Sequence, residues 1–242
     1  MTEPSWAVFN RDAATHSGYL YTATNKLSSR MATQRSTEAI LACGRFAGRA
    51  ILDVGCGDGF YSNRFWDAAK PKSWVGVDPA EQAIRVANAN RQERPIRFEV
   101  GDAHHLAYPA DSFDLVLVQS ILHHDDDPTA TLREAFRVAP EVLVHEPNGN
   151  NLGLKIIQLL SRYHREHGEK SYGTRRMRRW IAQAGGEVTE QRFAGFVPMF
   201  SPDPLARAMK AAEPWLERFP GLRALGCSVY VMVAIRSTPR PR

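Results

Sequence analysis

Residues 51–60 read Ile51-Leu52-Asp53-Val54-Gly55-Cys56-Gly57-Asp58-Gly59-Phe60, and the fold turns on them. An apolar strand ends in a turn with glycine at every second position, and a helical pattern follows. Glycine is required where a backbone turns sharply or must touch a ligand with no Cβ in the way. The start of the next helix offers unpaired N–H groups and the positive end of a dipole, which suit a carboxylate as well as a phosphate. Taken alone, such a loop is also compatible with a tight turn that binds nothing. The spacing is G-x-G-x-G, whereas the dinucleotide fingerprint is G-x-G-x-x-G. Val75-Gly76-Val77-Asp78 then puts an acid at the end of a second strand, where a carboxylate can accept hydrogen bonds from ribose hydroxyls. Val100-Gly101-Asp102-Ala103 puts another acid just past a third strand, within reach of an adenine amino group.

Outward from this loop, short apolar runs alternate with helical stretches, the pattern of a doubly wound, mostly parallel α/β sheet in three layers. Strands are expected at Ala50–Val54, Ser73–Val77, Ile96–Val100, Phe113–Gln119 and Glu141–Glu146. The fourth is almost continuously apolar, as a strand buried on both faces should be. Helices are expected at Tyr61–Ala69, Glu81–Arg91 and Thr129–Arg137, the last capped by Asp127 with Pro128 in its first turn. Further on, Leu152–His164 and Thr174–Ala184 read as helices, Glu187–Phe193 as a sixth strand and Ser228–Ile235 as a last one. Pro202–Ala212 reads as a helix, extended by Pro214–Arg218 after a break. Residues 1–48 form an N-terminal helical lid segment with a helix near Arg35–Ala42, residues 49–236 form the main domain, and the tail 237–242 is expected to be disordered. Three segments lie outside a minimal alternating core: the N-terminus, roughly 147–180, and roughly 195–225. Placed at the carboxyl edge of the sheet, they would form a lid or substrate pocket.

In order and spacing, DVGCGDG (53–59), GVDPA (76–80), GDAHHL (101–106), FDLVLVQSILHH (113–124), LREAFRV (132–138) and VLVHEPN (142–148) resemble the class I S-adenosylmethionine-dependent methyltransferases over residues 50–146. The resemblance implies a seven-stranded sheet whose last strand, Ser228–Ile235, runs antiparallel. It implies S-adenosylmethionine as cofactor, with Asp53, Gly55, Cys56 and Gly57 around its methionine part. Asp78 would hold the ribose, Pro79 would pack near the adenine, Asp102 and Ala103 would meet the adenine edge, and Gln119 and Ser120 would line the floor. Ala139-Pro140-Glu141 replaces a glycine pair common in the family before the fifth strand. The flanking segments, which choose the substrate, are not covered.

The chain has 242 residues, 43% of them hydrophobic, enough for one elaborated domain and against wholesale disorder. No apolar run approaches the ~20 residues of a membrane span, and no secretion signal opens the sequence. Three cysteines, Cys43, Cys56 and Cys227, lack paired spacing, which fits a reduced cytoplasmic compartment. Residues 1–150 hold 15 Lys/Arg against 19 Asp/Glu, and residues 151–242 hold 16 against 7. The basic part could meet an anionic substrate or RNA, though a solvated surface accounts for it as well.

A methyl sulfonium needs a nucleophile in line behind it and the exclusion of water, and proximity alone can lower the barrier by ~7–11 kcal/mol. A base is needed when the acceptor must lose a proton. His123 and His124 follow the fourth strand and His145 ends the fifth, so all three are candidates for that base. They serve equally well as pocket walls. His123-His124-Asp125-Asp126-Asp127 has metal-like residues, but the acids more simply cap the next helix, and no metal is assigned. His104-His105, His164 and His167 read as surface. Tyr19, Tyr21 and Arg30 are lid candidates, and Arg30 could pair with the cofactor carboxylate. Glu146, Asn148, Phe196 and Phe200 are candidates for the substrate side, and Phe193 and Trp215 could add to an apolar pocket or to the core. Arg175-Arg176-Met177-Arg178-Arg179 would wrap around a helix instead of forming one stripe. Together these features favour methyl transfer to a small organic acceptor, at oxygen or nitrogen ahead of carbon. The rivals are an RNA methyltransferase, disfavoured because no aromatics interleave the basic run, and a non-catalytic cofactor-binding protein.

Overall fold

Alternation along β1 (Ala50–Val54) decides the layering. Ile51 packs into one apolar cluster with Phe65, Trp74 and Leu115, while Leu52 and Val54 point the other way, to Val116, Leu132 and Met177. Successive side chains of a strand take opposite faces, so a central strand with apolar residues on both faces needs a layer on each side. The computed structural model describes residues 7, 10, 11, 26–160, 170–199 and 201–237.

The remaining elements are α1 (Leu27–Cys43), α2 (Phe60–Ala69), β2 (Ser73–Asp78), α3 (Glu81–Asn90), β3 (Ile96–Val100), β4 (Leu115–Gln119), α4 (Pro128–Val138), β5 (Glu141–Pro147), α5 (Leu152–Leu160), α6 (Thr174–Gln183), β6 (Gly186–Ala194), α7 (Asp203–Arg218), α8 (Pro220–Gly226) and β7 (Val229–Arg236). The strands form one seven-stranded sheet in the order β3-β2-β1-β4-β5-β7-β6. β7 runs antiparallel to both neighbours, and the other strands run parallel to one another, as expected. Strand order reverses between β1 and β4, which opens a crevice at their carboxyl ends.

Local chemistry explains the edges of the elements. Asp127 caps α4, its Oδ1 accepting from the amides of Thr129 and Ala130 at 3.1 Å each. Ending α6, Gly185 turns at φ +88° and Gly186 starts β6. β4 begins at Leu115, later than expected, because the Phe113 amide goes to the Val138 carbonyl and Asp114 takes the Ala50 amide through its side chain. α1 is longer than expected. The break expected before Pro214 is absent, and α7 runs through it unbroken. Proline removes one helix hydrogen bond; here Arg35 of α1 grips Glu213 and Glu217 on either side. The short helix α8 had no counterpart among the expected elements.

α5 follows the carboxyl end of β5, and α7 and α8 follow that of β6, so these helices start from the carboxyl edge of the sheet. Tyr19, Tyr21, His164, His167, Phe200 and tail residues 238–242 lie outside the described residues. No described helix is long and apolar enough to cross a membrane.

Candidate active site

The glycine loop is tied down at both ends. The amides of Gly55 and Cys56 both donate to the Val77 carbonyl, at 2.8 and 3.1 Å. The Gly57 amide donates to Asp78 Oδ2 at 2.9 Å, and the Ala80 amide to Asp78 Oδ1 at 2.9 Å. Asp78 therefore joins the loop after β1 to the turn after β2. Gly55 has φ +75°, and a Cβ added there would lie 2.2 Å from Ile121 Cγ2. Both conformation and space demand glycine, and the contact shows that the turn after β4 sits directly on the loop. Beneath the loop, the buried Asp53 accepts from Ser62 Oγ at 2.6 Å. Burial pushes the carboxyl of Asp53 up to about 7 and that of Asp78 up to about 6. Burial also pushes the Cys56 thiol up, so it is not a thiolate nucleophile.

The turn after β4 is organised by one side chain from the next strand. Glu146, at the end of β5, is buried. Its Oε1 accepts from the amides of Ile121 and Leu122, at 3.0 and 2.9 Å, and its Oε2 contacts His123 Nδ1 at 2.6 Å. This corrects the expectation that Glu146 faces substrate: both its oxygens are committed to the turn. Next to it, His145 lies opposite Gln119 in the β4–β5 register. The His145 Nδ1 is 3.3 Å from Ser120 Oγ, and its Nε2 is buried without a partner. Burial holds His145 down at about 4, so it is neutral at pH 7. The ring of His124 packs on that of His123, centroids 3.9 Å apart.

Of the remaining candidates, Gln119 is buried under the turn, and Ser120 adopts φ +56° while its amide donates to the His145 carbonyl. Pro79 and Ala103 are half-buried. Asp102 is exposed and accepts from the His104 amide at 2.8 Å, which holds its carboxyl below the usual range. Asn148 is a second correction. It is fully buried, its Nδ2 donating to the carbonyls of Ala224 and Cys227 and its Oδ1 accepting from the Asn150 amide. That amide fastens α8 to the end of β5 and has nothing left for a substrate. Phe196 is half-buried, its amide held by Glu213. Arg30 is exposed on the first turn of α1. The arginine that the structure engages deeply is Arg35, which takes Glu217 with its fork and draws Glu213 within 3.7 Å. Sequence alone gave no signal for it, because its partners lie far along the chain. Asp125, considered for a metal, holds His104 Nε2 at 2.8 Å and Thr131 Oγ1 at 2.6 Å.

Comparison with known proteins agrees with this geometry. Residues 52–141 match the family model of a methyltransferase domain. A tRNA U34 carboxymethyltransferase of Wolinella succinogenes is 33% identical over 89 residues, covering 36% of this chain and 32% of the relative. A ubiquinone biosynthesis O-methyltransferase of Azorhizobium caulinodans is 32% identical over 136 residues, covering 55% of this chain and 49% of the relative. The chain thus spans between a third and a half of the length of these curated relatives. A SAM-dependent methyltransferase from Thermotoga maritima superposes with a TM-score of 0.67 at 16% identity, over 96% of this chain and 99% of that one, and so shares the fold. Residues 52–141, which hold the glycine loop and the turn after β4, thus match a methyltransferase domain, and the chain as a whole has the fold of the class I S-adenosylmethionine-dependent methyltransferases.

Proposed function

We propose that this chain transfers the methyl group of S-adenosylmethionine to a small organic acceptor, at oxygen or nitrogen ahead of carbon. The observation that carries the reading is the seat of Ile121 on Gly55, two residues from an imidazole held by a buried carboxylate. The loop that would hold the methyl donor and the group that would take a proton are thereby packed as one unit.

The residues present fit the cofactor. Each Asp78 oxygen accepts a single backbone amide, and a carboxylate has about four acceptor positions, so room is left for two ribose hydroxyls. Asp102 offers an ionised acceptor to an adenine amine. The glycine at 55 leaves backbone bare where the methionine part would pass. When bound, the sulfonium supplies an electrophilic methyl group.

The chain's own residues then orient the acceptor and take its proton. In its neutral form His123 donates Nδ1–H to Glu146, which fixes the tautomer and leaves the lone pair on Nε2. The same carboxylate stabilises the imidazolium that forms. His145 lacks such a partner, and burial disfavours its protonated form, so it suits a wall and not a base. This sets His145 aside and favours His123, with Glu146 as its positioning residue, while His124 stacks on it. A base of this kind contributes ~10²–10⁴-fold when the acceptor must be deprotonated.

The test has two steps. Calorimetry with S-adenosylhomocysteine should show binding, and no binding at millimolar concentration removes the cofactor reading. Release of S-adenosylhomocysteine is then followed with panels of phenols, catechols and amines, and with bulk tRNA. A second reading, transfer to RNA, is favoured by the basic C-terminal part. It predicts transfer to tRNA with steep salt dependence and none to the small acceptors.

A further inference from the structure

The cations of residues 151–242 are not evenly spread. An open cleft of about 520 Å³ lies between α5, the strand-like turn at 170–172 and the start of α6. Among the described residues Lys155, Lys170 and Arg176 line it together with Gln158, Leu159, Ser171 and Tyr172, and no described carboxylate does. Among the described residues no carboxylate pairs with any of the three cations. Elsewhere on the surface Arg94 meets Asp67 at 2.7 Å, Arg137 meets Glu134 at 2.7 Å and Arg236 meets Asp111 at 2.6 Å.

Two of the three cationic groups are held in place. Lys155 Nζ donates to the Ser171 carbonyl at 2.7 Å, and Ser171 Oγ donates to Gln158 Oε1 at 2.8 Å. The Arg176 guanidinium lies 4.8 Å from the Tyr172 ring and 5.1 Å from that of Trp180, and the two rings meet edge-on at 4.8 Å. A stacked guanidinium keeps its in-plane N–H groups for a ligand. Burial holds the Lys155 amine below its usual range. α6 adds to the imbalance. Its N-terminus has no side-chain cap and no acid in its first turn, where Arg175 and Arg176 stand instead. Cations at the positive end of a helix are unfavourable unless an anion joins them. The cleft adjoins the carboxyl edge, since Tyr172 bridges to Asn148 just past β5.

We infer that this cleft is a binding site for the phosphate group of a small organic phosphate monoester. Three cations match a dianion better than a single carboxylate, the guanidinium fork can take two phosphate oxygens, and the lysines act as point charges. The volume admits a small organic group beside the phosphate. Binding here requires nothing of the methyl-transfer site.

Calorimetry at low salt with the full chain, using inorganic phosphate, phenyl phosphate, benzoate and a short single-stranded RNA as probes, tests the site. Phenyl phosphate should bind more tightly than inorganic phosphate or benzoate. Arg176→Gln and Lys155→Gln should each weaken it by about ten- to a hundred-fold, the loss of one charged hydrogen bond. Unchanged melting temperature and S-adenosylhomocysteine binding in the variants show that they fold. No binding of phenyl phosphate to the parent, or equal binding to both variants, overturns the proposal. So does RNA that binds more tightly than phenyl phosphate and is lost in the same variants.

Discussion

Gly55→Ala tests whether the glycine loop and the turn after β4 form one packed unit. Two costs follow from the geometry. At φ +75° an L-residue adopts the left-handed conformation, at about 1–2 kcal/mol. The new Cβ would lie 2.2 Å from Ile121 Cγ2 and 3.2 Å from Ile121 Cβ, and the branched side chain cannot swing clear by turning a distant methyl alone. Overpacking of this kind costs about 1–3 kcal/mol. The sum, about 2–5 kcal/mol, corresponds to a fall in Tm of roughly 4–20 °C for a domain of this size. Ile121 can yield only by moving the turn whose amides bind Glu146, so affinity for S-adenosylhomocysteine should fall too.

The two costs can be separated. In a Gly55→Ala, Ile121→Ala double variant the overpacking disappears and the backbone strain stays. Thermal melts of the four proteins should therefore give a coupling of about 1–3 kcal/mol between the positions, well above the ~0.5 kcal/mol scatter of independent sites. A Gly55→Ala protein that melts with the parent, or a coupling of zero, would show that Ile121 does not seat on this loop.

Ribose hydroxyls need Asp78 ionised, and burial raises its carboxyl to about 6, so S-adenosylhomocysteine affinity should decline as pH falls from 8 through 6, and Asp78→Asn should bind weakly with no such decline, by calorimetry across pH. Folding lowers His145 from 6.5 to about 4, so its contribution to stability is present above pH 6.5 and is lost as pH falls through 4; Asp53 and Asp78, raised by folding, contribute stability that is complete below about pH 3.8 and gone by about pH 7. His145→Leu should therefore gain stability at pH 5 relative to pH 7.5 when compared with the parent, in urea melts, and should keep methyl transfer. Arg35→Met leaves Glu213 with Lys210 alone as a cation, and should cost about 1–3 kcal/mol in urea, less than the ~3–5 of a fully buried pair because Arg35 and Glu217 are partly solvated. Asp127→Ala removes the acceptor for two amides of α4 and should cost about 1 kcal/mol by the same measurement.

What was legible in the sequence was local. The strand, glycine turn and helix of 50–69 announce themselves because turn chemistry is decided within a few residues, and the Asp127 cap likewise. Asp78 was legible because an acid at a strand end two elements after a glycine loop is itself a pattern. Glu146 was misread for the opposite reason. Its place at the end of β5 could be read, but not that β4 lies beside it with Gln119 against His145, which brings the His123 turn onto its carboxylate. Asn148 looked available because its acceptors, Ala224 and Cys227, lie in and just past a helix that the sequence pattern did not reveal. Arg30 drew attention over Arg35 because nothing nearby distinguishes two arginines on one helix, and the difference is made by Glu217, 182 residues away. Pro214 looked like a break because propensity was weighed without that anchor.

The distribution of compensated and uncompensated charge orders these observations. A buried or crowded charge without a partner is expensive, and folded chains avoid it where nothing is gained. In several places on this surface the rule holds: Arg94, Arg137 and Arg236 each meet an acid, and even the half-buried Arg35 is matched by two. It fails in two places. Around the glycine loop Asp53 and Asp78 are sunk together with hydroxyl and amide partners but no cation, and each makes the other's neighbourhood more negative. Along 155–176 the imbalance has the opposite sign. A cationic ligand relieves the first, and an anionic one relieves the second. His123, a candidate base, has its charged form supported by the chain itself through Glu146. On the proposed reading, the carboxyl edge is acidic where a sulfonium would sit and basic where a phosphate would.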